Sequence, residues 1–456
     1  MPNFKSLAKS YEKNATLALQ ELVHCPSVYD PKSIGENAPY GAGVKKALDY
    51  VGKLGQDYGF KVDYCHGHAT EVSFGEEGPI IGIYAHADVV PVSGQWDNPP
   101  FSAAIKGEGA EAKMFGRGTS DDKGPLIAAL FACKLLKDNG LIKGFKVRLV
   151  AGGDEERGSS CLDYYFHQLK KEDCAYGFTP DADFPLIYAE KGIVHGEAVK
   201  LIDLKPIIAM DGGVVSNAVC DKLVVTLPKD QKFMDAFKAD KIEGEINDCG
   251  EIMVVAFKGK SAHGSTPEKG VNAALIAFKY LGDFYKISYL QELAKVLSDC
   301  NGAAFNGKFA SPELGLTTYN YGIVSYNGKV FKFSIDFRYG ESVDSKACIH
   351  LLEDAAKLSI TVLSEAKPLL YDKKSPLVAT LMKSYKHMTW KFFDQPLAIG
   401  GGTYAKEAKN CVAFGSAFKG HDGSIHSPNE YIYLDDFYKQ IGIYADAIYR
   451  LGHLKA

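Results

Sequence analysis

Three consecutive segments in the first third of the chain constrain its fold more than any other feature. Residues 79–86 form a short apolar run rich in isoleucine, residues 126–138 carry the clearest helical pattern, and residues 146–151 form a second apolar run. Uninterrupted apolar runs of this length are typical of strands that are buried on both faces. A strand, a helix and a strand in that order predict a parallel sheet with helices packed on it, so this part of the chain is expected to be an α/β domain.

The pattern of the chain changes after about Glu190. Strand-like runs, several with one polar face, lie at 222–227, 251–257 and 330–337, and helical patterns cover 271–285 and 345–358. Strands and helices mixed in this way indicate a separate α+β domain. The parallel-sheet pattern resumes after about Leu369, with helices predicted over 376–389 and 435–451. The simplest organisation is an insertion: residues 1–190 and 369–456 form one discontinuous domain, and residues 191–368 form a second domain within it.

Composition narrows the class of protein. A chain of 456 residues with a hydrophobic fraction of 46% can build two cores. Its formal net charge of −4 and the absence of a long Lys or Arg run argue against nucleic acid or a membrane surface as partner, which favours small molecules. The N-terminal segment lacks the pattern of a signal peptide, and the ten cysteines are scattered without a C-x-x-C pair. These features predict a cytoplasmic protein with reduced thiols.

The first candidate for chemistry is His86-Ala-Asp88, at the carboxyl end of the first predicted strand. Open α/β sheets bind their ligands at this end of the strands. Positions two apart in an extended chain face the same way, so the imidazole can ligate a metal while the carboxylate orients the ring. A histidine and an aspartate that merely satisfy each other at a strand end are the alternative.

A glycine-rich loop, Gly116-Arg-Gly-Thr-Ser-Asp121-Asp122, precedes the long helix. A carboxylate at such a turn can give one oxygen to each of two cations, which in two-metal hydrolases are about 3.5–4 Å apart. A charged helix cap is the other interpretation of these aspartates.

Three consecutive acids, Asp154, Glu155 and Glu156, follow the second predicted strand. They repel one another unless cations or protons offset their charge. Neighbouring side chains diverge, so one glutamate can bind metal while the next takes a proton from the attacking water. A solvated acidic turn is the simpler alternative.

Asp181, in Thr179-Pro-Asp181, and His426, in Gly423-Ser-Ile-His426, complete a nitrogen and carboxylate set suited to two borderline divalent ions. Zinc fits such a set, with manganese or cobalt possible. The five candidate metal ligands are His86, Asp121, Glu156, Asp181 and His426.

In their order and their residues, these five motifs resemble those of the aminoacylase and carboxypeptidase-G-like family of binuclear metallopeptidases. Within that family they resemble the PepV-type, carnosinase-like dipeptidases. The resemblance runs from the His86 strand to the His426 loop. It implies a zinc-exopeptidase-like catalytic domain with a mostly parallel central sheet and an inserted α+β lid domain. It also implies a dipeptidase that splits dipeptides with free amino and carboxyl ends, Xaa-His dipeptides among them, through a water that bridges two metal ions.

The same resemblance assigns roles to individual residues. Asp121 would bridge the metals and be joined to Asp122 by a cis peptide bond. His86 and Asp181 would hold one ion, and Glu156 and His426 the other. Asp88 would orient His86, and Glu155 would be the general base.

Residues of the inserted domain also match the family. His263, in Gly259-Lys-Ser-Ala-His263, resembles the lid histidine that stabilises the oxyanion, and Asn217 and Arg338 resemble the residues that bind the terminal carboxylate of the substrate. Ala218 and Cys220 replace the methionine and proline that usually follow the asparagine, which is a departure from the family pattern. The stretch Gly400–Thr403 resembles a segment that lines the substrate cleft.

Other outcomes stay open from sequence. Another amidase of the family (a deacylase, a desuccinylase or a carboxypeptidase) and a catalytically silent metal-binding protein are the alternatives. An insertion of this length can mimic a second lid within one chain, so a monomer is predicted. The Cys65-His66-Gly-His68 segment resembles a metal cluster, but it is predicted to be only a solvated turn.

Overall fold

The structure, a computed structural model, describes residues 2–454 and divides into two compact units. The first unit contains the residues up to Tyr188, Tyr371–Leu397 and the residues from Thr403 onward, and the second contains Ala189–Leu370 and Ala398–Gly402. The Tyr371 N–H donates a hydrogen bond of 2.9 Å to the Tyr188 carbonyl, so the chain first leaves the first unit and first returns to it at neighbouring positions.

The α-helices are α1 (Phe4–Ala8), α2 (Glu12–Val23), α3 (Ala42–Asp57), α4 (Lys123–Asp138), α5 (Ser160–Asp163), α6 (Gln231–Ala239), α7 (Ala273–Tyr285), α8 (Ser288–Val296), α9 (Ser345–Ala356), α10 (Pro376–Thr389) and α11 (Leu434–Gly452).

The strands are β1 (Lys61–Asp63), β2 (Ala69–Phe74), β3 (Ile80–His86), β4 (Ala104–Lys106), β5 (Lys113–Phe115), β6 (Lys146–Gly152), β7 (Tyr176–Thr179), β8 (Ala182–Asp183), β9 (Ile187–Glu190), β10 (Gly192–Leu201), β11 (Ala209–Gly212), β12 (Lys222–Pro228), β13 (Gly244–Asp248), β14 (Ile252–Lys258), β15 (Ala310–Ser311), β16 (Gly315–Leu316), β17 (Thr318–Asn320), β18 (Val324–Tyr326), β19 (Val330–Tyr339), β20 (Ser359–Ala366), β21 (Leu369–Leu370), β22 (Leu397–Ile399), β23 (Cys411–Ala413), β24 (Ser416–Ala417) and β25 (Tyr431–Tyr433).

The main sheet of the first unit runs in the order β1-β2-β6-β3-β7-β23-β9. Its centre is parallel, since β6, β3, β7 and β23 pair in parallel, while the outer strands pair antiparallel. Every residue of β3 is buried, as its apolar run predicts. The buried helix α4 packs against β3, β6 and α11, which covers one face of this parallel centre.

This parallel centre positions the candidate site. The register places His86 at the end of β3 beside Gly152 at the end of β6, and β7, which pairs with the other side of β3, ends at Thr179. The segments that follow these strands carry Asp88, the three consecutive acids and Asp181. Side chains from distant parts of the sequence therefore leave the sheet at the same edge.

The second unit has an antiparallel sheet in the order β13-β14-β12-β11-β18-β19-β10-β20, with β17 paired to β19. Its buried core is rich in aromatic residues, including Phe233, Phe278, Phe331 and Phe337. Helices α6, α7, α8 and α9 contribute residues to that core.

The structure confirms the α/β fold class with an additional α+β part, although the sheet of the first unit is mixed at its edges. The helices predicted at 126–138, 271–285, 345–358, 376–389 and 435–451 are present. The expectation of two helices in the inserted part was wrong, because α6 and α8 are present as well. The signal for α6 was available: Asp230 caps the helix through the amides of Lys232 and Phe233, and buried Phe233 and Phe237 are four residues apart.

Candidate metal centre and active site

His86 lies at the carboxyl end of β3 and is completely buried. Its Nε2 atom is 2.9 Å from Oδ1 of Asp121 and 3.8 Å from Oδ2 of Asp181. A buried imidazole with two carboxylates around one nitrogen is the arrangement expected when that nitrogen faces a cation shared with the carboxylates.

Asp121 lies between two histidines. Its other oxygen, Oδ2, is 2.8 Å from Nε2 of His426, and the same nitrogen is 3.1 Å from Oε1 of Glu156. The peptide bond between Asp121 and Asp122 is cis. All five predicted ligands are therefore close together in the first unit, with the two oxygens of Asp121 directed at different imidazoles.

Glu155 lies beside this cluster. One possible donor group combines His86, Asp121 and Glu156, and a second combines His86, Glu155 and Asp181, with the atoms of each group within 4.8 Å of one another. Glu155 is thus close enough to Asp181 and His86 to act on a molecule held between them.

Asp122 does not cap α4, which settles the alternative raised by its sequence position. Although it occupies the N-cap position, its side chain makes no capping hydrogen bond. Its Oδ2 atom instead accepts the His86 N–H at 3.1 Å. The carboxylate therefore fixes the backbone of the first histidine.

Asp88 contacts His86, as expected, and its carboxylate makes further contacts as well. The nearest group to Nδ1 of His86 is the Asp88 backbone carbonyl, at 3.0 Å, while the Asp88 carboxylate is 3.5 Å away. The carboxylate accepts the backbone N–H groups of Glu155 at 3.1 Å and Glu156 at 3.2 Å. Asp88 therefore orients the ring mainly through its main chain and holds the acidic loop with its side chain.

Glu430 is a residue beside the candidate site to which the sequence analysis gave no role. It is completely buried, and its Oε1 atom accepts the backbone N–H groups of Gly118 at 3.0 Å, Ser120 at 3.1 Å and Asp121 at 3.2 Å. Its Oε2 atom pairs with Arg117 at 2.6 Å. The sequence feature that could have indicated Glu430 is its position in the His426 loop, four residues after the histidine.

The electrostatics of the cluster favour added positive charge. Burial, and next the charge of Asp121, raises the pKa of Asp181 to about 7. Burial and the charge of Asp181 raise the pKa of Glu155 well above its usual range. Asp121 differs, because hydrogen bonds from His426 and His86 outweigh its burial and lower its pKa. Burial would lower the pKa of His426, but Asp121 and Glu156 raise it to about 11. Several buried carboxylates here lack enough positive charge nearby.

This donor set fits divalent cations. It offers two imidazole nitrogens and carboxylate oxygens, without a thiolate, and the Asp121 carboxylate can donate through both of its oxygens. Nitrogen and oxygen donors of this kind suit zinc, and also manganese or cobalt. Cations at this position would offset the repulsion that raises the carboxylate pKa values.

The three residues predicted in the inserted domain converge within the second unit. The Gly264 N–H donates to the Asn217 carbonyl at 2.6 Å, and Ala218 and His263 form an isolated β-bridge. A Cβ atom on Gly264 would be 2.4 Å from Oδ2 of Asp336, the residue that pairs with Arg338. Close packing at Gly264 therefore joins the three segments.

Arg338 is buried and held by a forked interaction. Its Nε and Nη2 atoms donate to the two carboxylate oxygens of Asp336 at 3.0 and 2.9 Å, and Nη1 donates to the Gly400 carbonyl at 2.7 Å. Three of its five N–H donors are thus engaged, which leaves two to contact another acceptor. Asp336 fixes the plane of the guanidinium group and the direction of these remaining donors.

The hydrogen bonds of His263 indicate its tautomer. The Ser265 backbone N–H donates to its Nδ1 atom at 3.3 Å, and the Ser265 hydroxyl is 2.6 Å from the same nitrogen. Because Nδ1 accepts, the proton of the neutral ring is on Nε2. His263 therefore presents a donor on its outer nitrogen.

Comparison with known proteins gives a consistent picture. Residues 82–450 match the model of peptidase family M20/M25/M40. YtjP of Bacillus subtilis (strain 168), which carries a provisional dipeptidase name, is 33% identical over 453 residues, or 95% of this chain and 96% of YtjP.

Two solved structures share the fold. Human carnosine dipeptidase 1 has a TM-score of 0.61 and 13% identity, and Dug1p of Saccharomyces cerevisiae, a di-peptidase, has a TM-score of 0.61 and 14% identity. In both comparisons the match covers 99% of this chain and 98% of the solved chain. Among the described residues 2–454, no helix combines the length and apolar character needed to cross a membrane.

Proposed function

The chain belongs to peptidase family M20/M25/M40 and is a metallopeptidase, and from this premise we propose that it is a dipeptidase. Its substrates would be dipeptides with free amino and carboxyl ends, and Xaa-His dipeptides are the first to test. The observation that carries the proposal is the position of Asp121, whose two oxygens are 2.9 and 2.8 Å from the imidazoles of His86 and His426. A carboxylate shared in this way suits a pair of cations.

We assign His86 and Asp181 to one cation, Glu156 and His426 to the other, and Asp121 to both. Zinc is the proposed metal, with manganese or cobalt as alternatives. When bound, such ions supply Lewis acidity that polarises the scissile carbonyl and lowers the pKa of the attacking water.

The remaining residues of the first unit move a proton and hold the site in shape. Glu155 takes the proton from the attacking water and later delivers it to the leaving amine. Its pKa, raised by burial and by the charge of Asp181, suits a group that must both accept and release a proton. Asp88 holds the amides of Glu155 and Glu156, so the base and its neighbouring ligand keep a fixed separation.

Residues of the second unit are proposed to recognise the substrate. His263 donates from Nε2 to the oxyanion of the tetrahedral intermediate, which agrees with the tautomer that Ser265 imposes. Arg338, aided by Asn217, binds the terminal carboxylate of the dipeptide through the donors that Asp336 leaves available.

The test of the proposed base is Glu155→Gln, which removes the proton acceptor and keeps the shape of the side chain. Metal content should stay at two ions per chain, while kcat on an Xaa-His dipeptide falls by about a hundredfold to ten-thousandfold. Glu172→Gln, at an exposed position, is the matched control. Turnover by Glu155→Gln equal to that of the control would show that another group is the base.

A panel of blocked substrates distinguishes a dipeptidase from the other amidases of the family. A dipeptidase should lose activity when either the amino end is acetylated or the carboxyl end is amidated. Faster hydrolysis of the acetylated or succinylated compound would instead identify a deacylase or desuccinylase. Absence of turnover on every compound by the metal-loaded chain would indicate a protein that binds metal without catalysis.

We also propose that the protein is a cytoplasmic monomer. Its ten cysteines are all free thiols, which suits a reducing compartment. The second unit has the size expected of an insertion that replaces a partner's lid. Sedimentation of the purified chain should give the mass of one copy, and a stable dimer would contradict this.

A further inference from the structure

The turn formed by Cys65, His66, Gly67 and His68 is more than the solvated turn expected from sequence. Cys65 and Gly67 are buried, and His68 is half-buried. The ring of Tyr164 stacks on His68 with centroids 3.7 Å apart, and the Tyr164 hydroxyl is 2.8 Å from Nδ1 of His66. The side chains of this turn are therefore held by specific contacts.

From His68, two routes lead to the acidic loop of the candidate active site. Its backbone carbonyl accepts the Gly153 N–H at 3.1 Å. Its Nδ1 atom is 2.9 Å from the hydroxyl of Tyr40, which is 3.0 Å from the hydroxyl of Ser160. Ser160 donates to Oδ2 of Asp154 at 2.5 Å. Asp154 immediately precedes Glu155.

One arrangement of protons gives every contact in this chain of hydrogen bonds a donor and an acceptor. The Asp154 carboxylate, with the Arg157 guanidinium 3.8 Å from its other oxygen, accepts the single proton of Ser160. The contact between Tyr40 and Ser160 then requires the Tyr40 proton. As a result, Nδ1 of His68 must donate to the Tyr40 oxygen.

Tyr40 is the central member of the chain. It is buried, with an exposed fraction of 6%, and its ring is so close to the loop that a Cβ atom on Gly153 would be 3.0 Å away. Asp88 holds the amides of Glu155 and Glu156 separately. The segment from Gly153 to Glu156 is thus anchored by Asp88 and, independently, by this chain.

We propose that His68, Tyr40 and Ser160 are positioning residues that fix the loop carrying Glu155 and Glu156. This inference rests on the proposed dipeptidase function, in which Glu155 is the base and Glu156 a ligand. The three residues act through Asp154 and Gly153, and the hydrogen bonds of their side chains run to one another and to Asp154 rather than to the proposed ligands. Residues that support a metal centre from outside in this way typically contribute about 10-fold to 100-fold in activity or metal affinity.

The kinetic test compares Tyr40→Phe with Tyr58→Phe. Tyr40→Phe keeps the buried ring and removes the hydroxyl, so kcat should fall about tenfold while KM stays within about twofold. Tyr58, which is half-buried and packs its ring on Phe131, is the matched control and should keep full turnover. Ser160→Ala should match Tyr40→Phe, and Ser160→Thr should restore turnover because it restores a hydroxyl.

The double variant Tyr40→Phe/Ser160→Ala separates a connected chain from two independent packing effects. Each substitution breaks the same chain, so the double variant should lose no more than either single variant. Additive losses, or Tyr40→Phe turnover equal to that of Tyr58→Phe, would overturn the proposal.

A second readout does not depend on activity. Nitrogen-15 spectra of the imidazole rings, with His68 assigned by comparison with His68→Gln, should show a proton on Nδ1 of His68. Tyr40→Phe should remove this preference. An unprotonated Nδ1 in the native chain would overturn the proposal. Lack of dipeptide turnover by the native chain would defeat the proposed function instead, and the spectra would still decide whether the hydrogen-bond chain exists.

Discussion

Burial, and next the charge of Asp121, raises the pKa of Glu430 to about 7, so above this pH its carboxylate holds the loop that carries Asp121 by charge as well as by hydrogen bonds. Glutamine at this position would keep the size of the side chain but would leave the Arg117 guanidinium, only 1% exposed, without its ion-pair partner. Breaking a buried pair typically costs about 3–5 kcal/mol.

We therefore predict that Glu430→Gln lowers the free energy of unfolding by about 3 kcal/mol and weakens metal binding about tenfold or more. Urea denaturation and metal titration measure the two effects. Glu108→Gln, at an exposed position, should change neither. Equal stability of the two variants would show that Glu430 is not a charged anchor of the loop.

The sequence could indicate candidate ligands, which the structure brings close together, because local spacing carries part of the information. His86 and Asp88 are two residues apart on one strand, and Asp121 lies in a glycine-rich turn before a helix. The roles of Glu430 and of the Asp88 carboxylate could not be predicted in this way. Both depend on backbone amides that the fold brings near them from distant positions in the sequence.

At the scale of elements, Glu365 of β20 connects β19 and α9. Its Oε1 atom accepts hydrogen bonds from Tyr339 at 2.6 Å, Ser345 at 2.6 Å and Lys367 at 2.7 Å. Burial alone would raise its pKa, but these hydrogen bonds lower the pKa to about 2 from an ordinary value of 4.5.

A lowered carboxyl pKa stabilises the folded state above the unfolded-state value and stops doing so as the pH falls through the folded-state value. We therefore predict that the urea midpoint of the native chain decreases between pH 4.5 and about 2 by more than that of Glu365→Gln. Far-UV circular dichroism measures both. Glu251→Gln, at an exposed position, should follow the native curve, and a Glu365→Gln curve parallel to it would contradict the prediction.

Elements with strong periodicity could be predicted, and elements with small or mixed residues could not. Helix α4 was recognisable because nearly every residue is apolar and buried. Strand β10 was missed although its burial alternates, since Gly192, Gly196 and Ala198 on its inner face are too small to give a clear apolar pattern. Such a strand is stabilised by its neighbours β19 and β20 more than by its own sequence.

At the scale of the whole molecule, the proposed metal ligands all belong to the first unit. An ion that binds only the folded state stabilises it by about 2.7 kcal/mol when its concentration is 100 times its dissociation constant. We predict that zinc slows amide exchange over residues 146–156, and that chelation reverses this, while exchange in β12 and β14 is unchanged. Equal slowing in both units would contradict the assignment of the ligands.

The change of pattern near Glu190 predicts a discontinuous α/β part and an inserted part, and this division stays a prediction. The finer division did not follow from the pattern. Residues 398–402 cluster with the second unit, because Lys191 donates its N–H to the Ile399 carbonyl and Arg338 donates to Gly400. A short segment attached by backbone contacts of this kind leaves no compositional signal.

The hydrogen bond between Tyr371 and Tyr188 has a consequence for how the enzyme is made. The segments around Tyr188 and Tyr371 flank residues 189–370 and are hydrogen-bonded to each other. The first sheet also contains β23, so a growing polypeptide can complete it only after residues 189–370 have been translated. Four of the proposed metal ligands are translated before residues 189–370, and the fifth, His426, is translated after them. The four are His86, Asp121, Glu156 and Asp181. Until the last stretch leaves the ribosome, the nascent chain lacks one of the five proposed metal ligands, so the proposed metal site is incomplete.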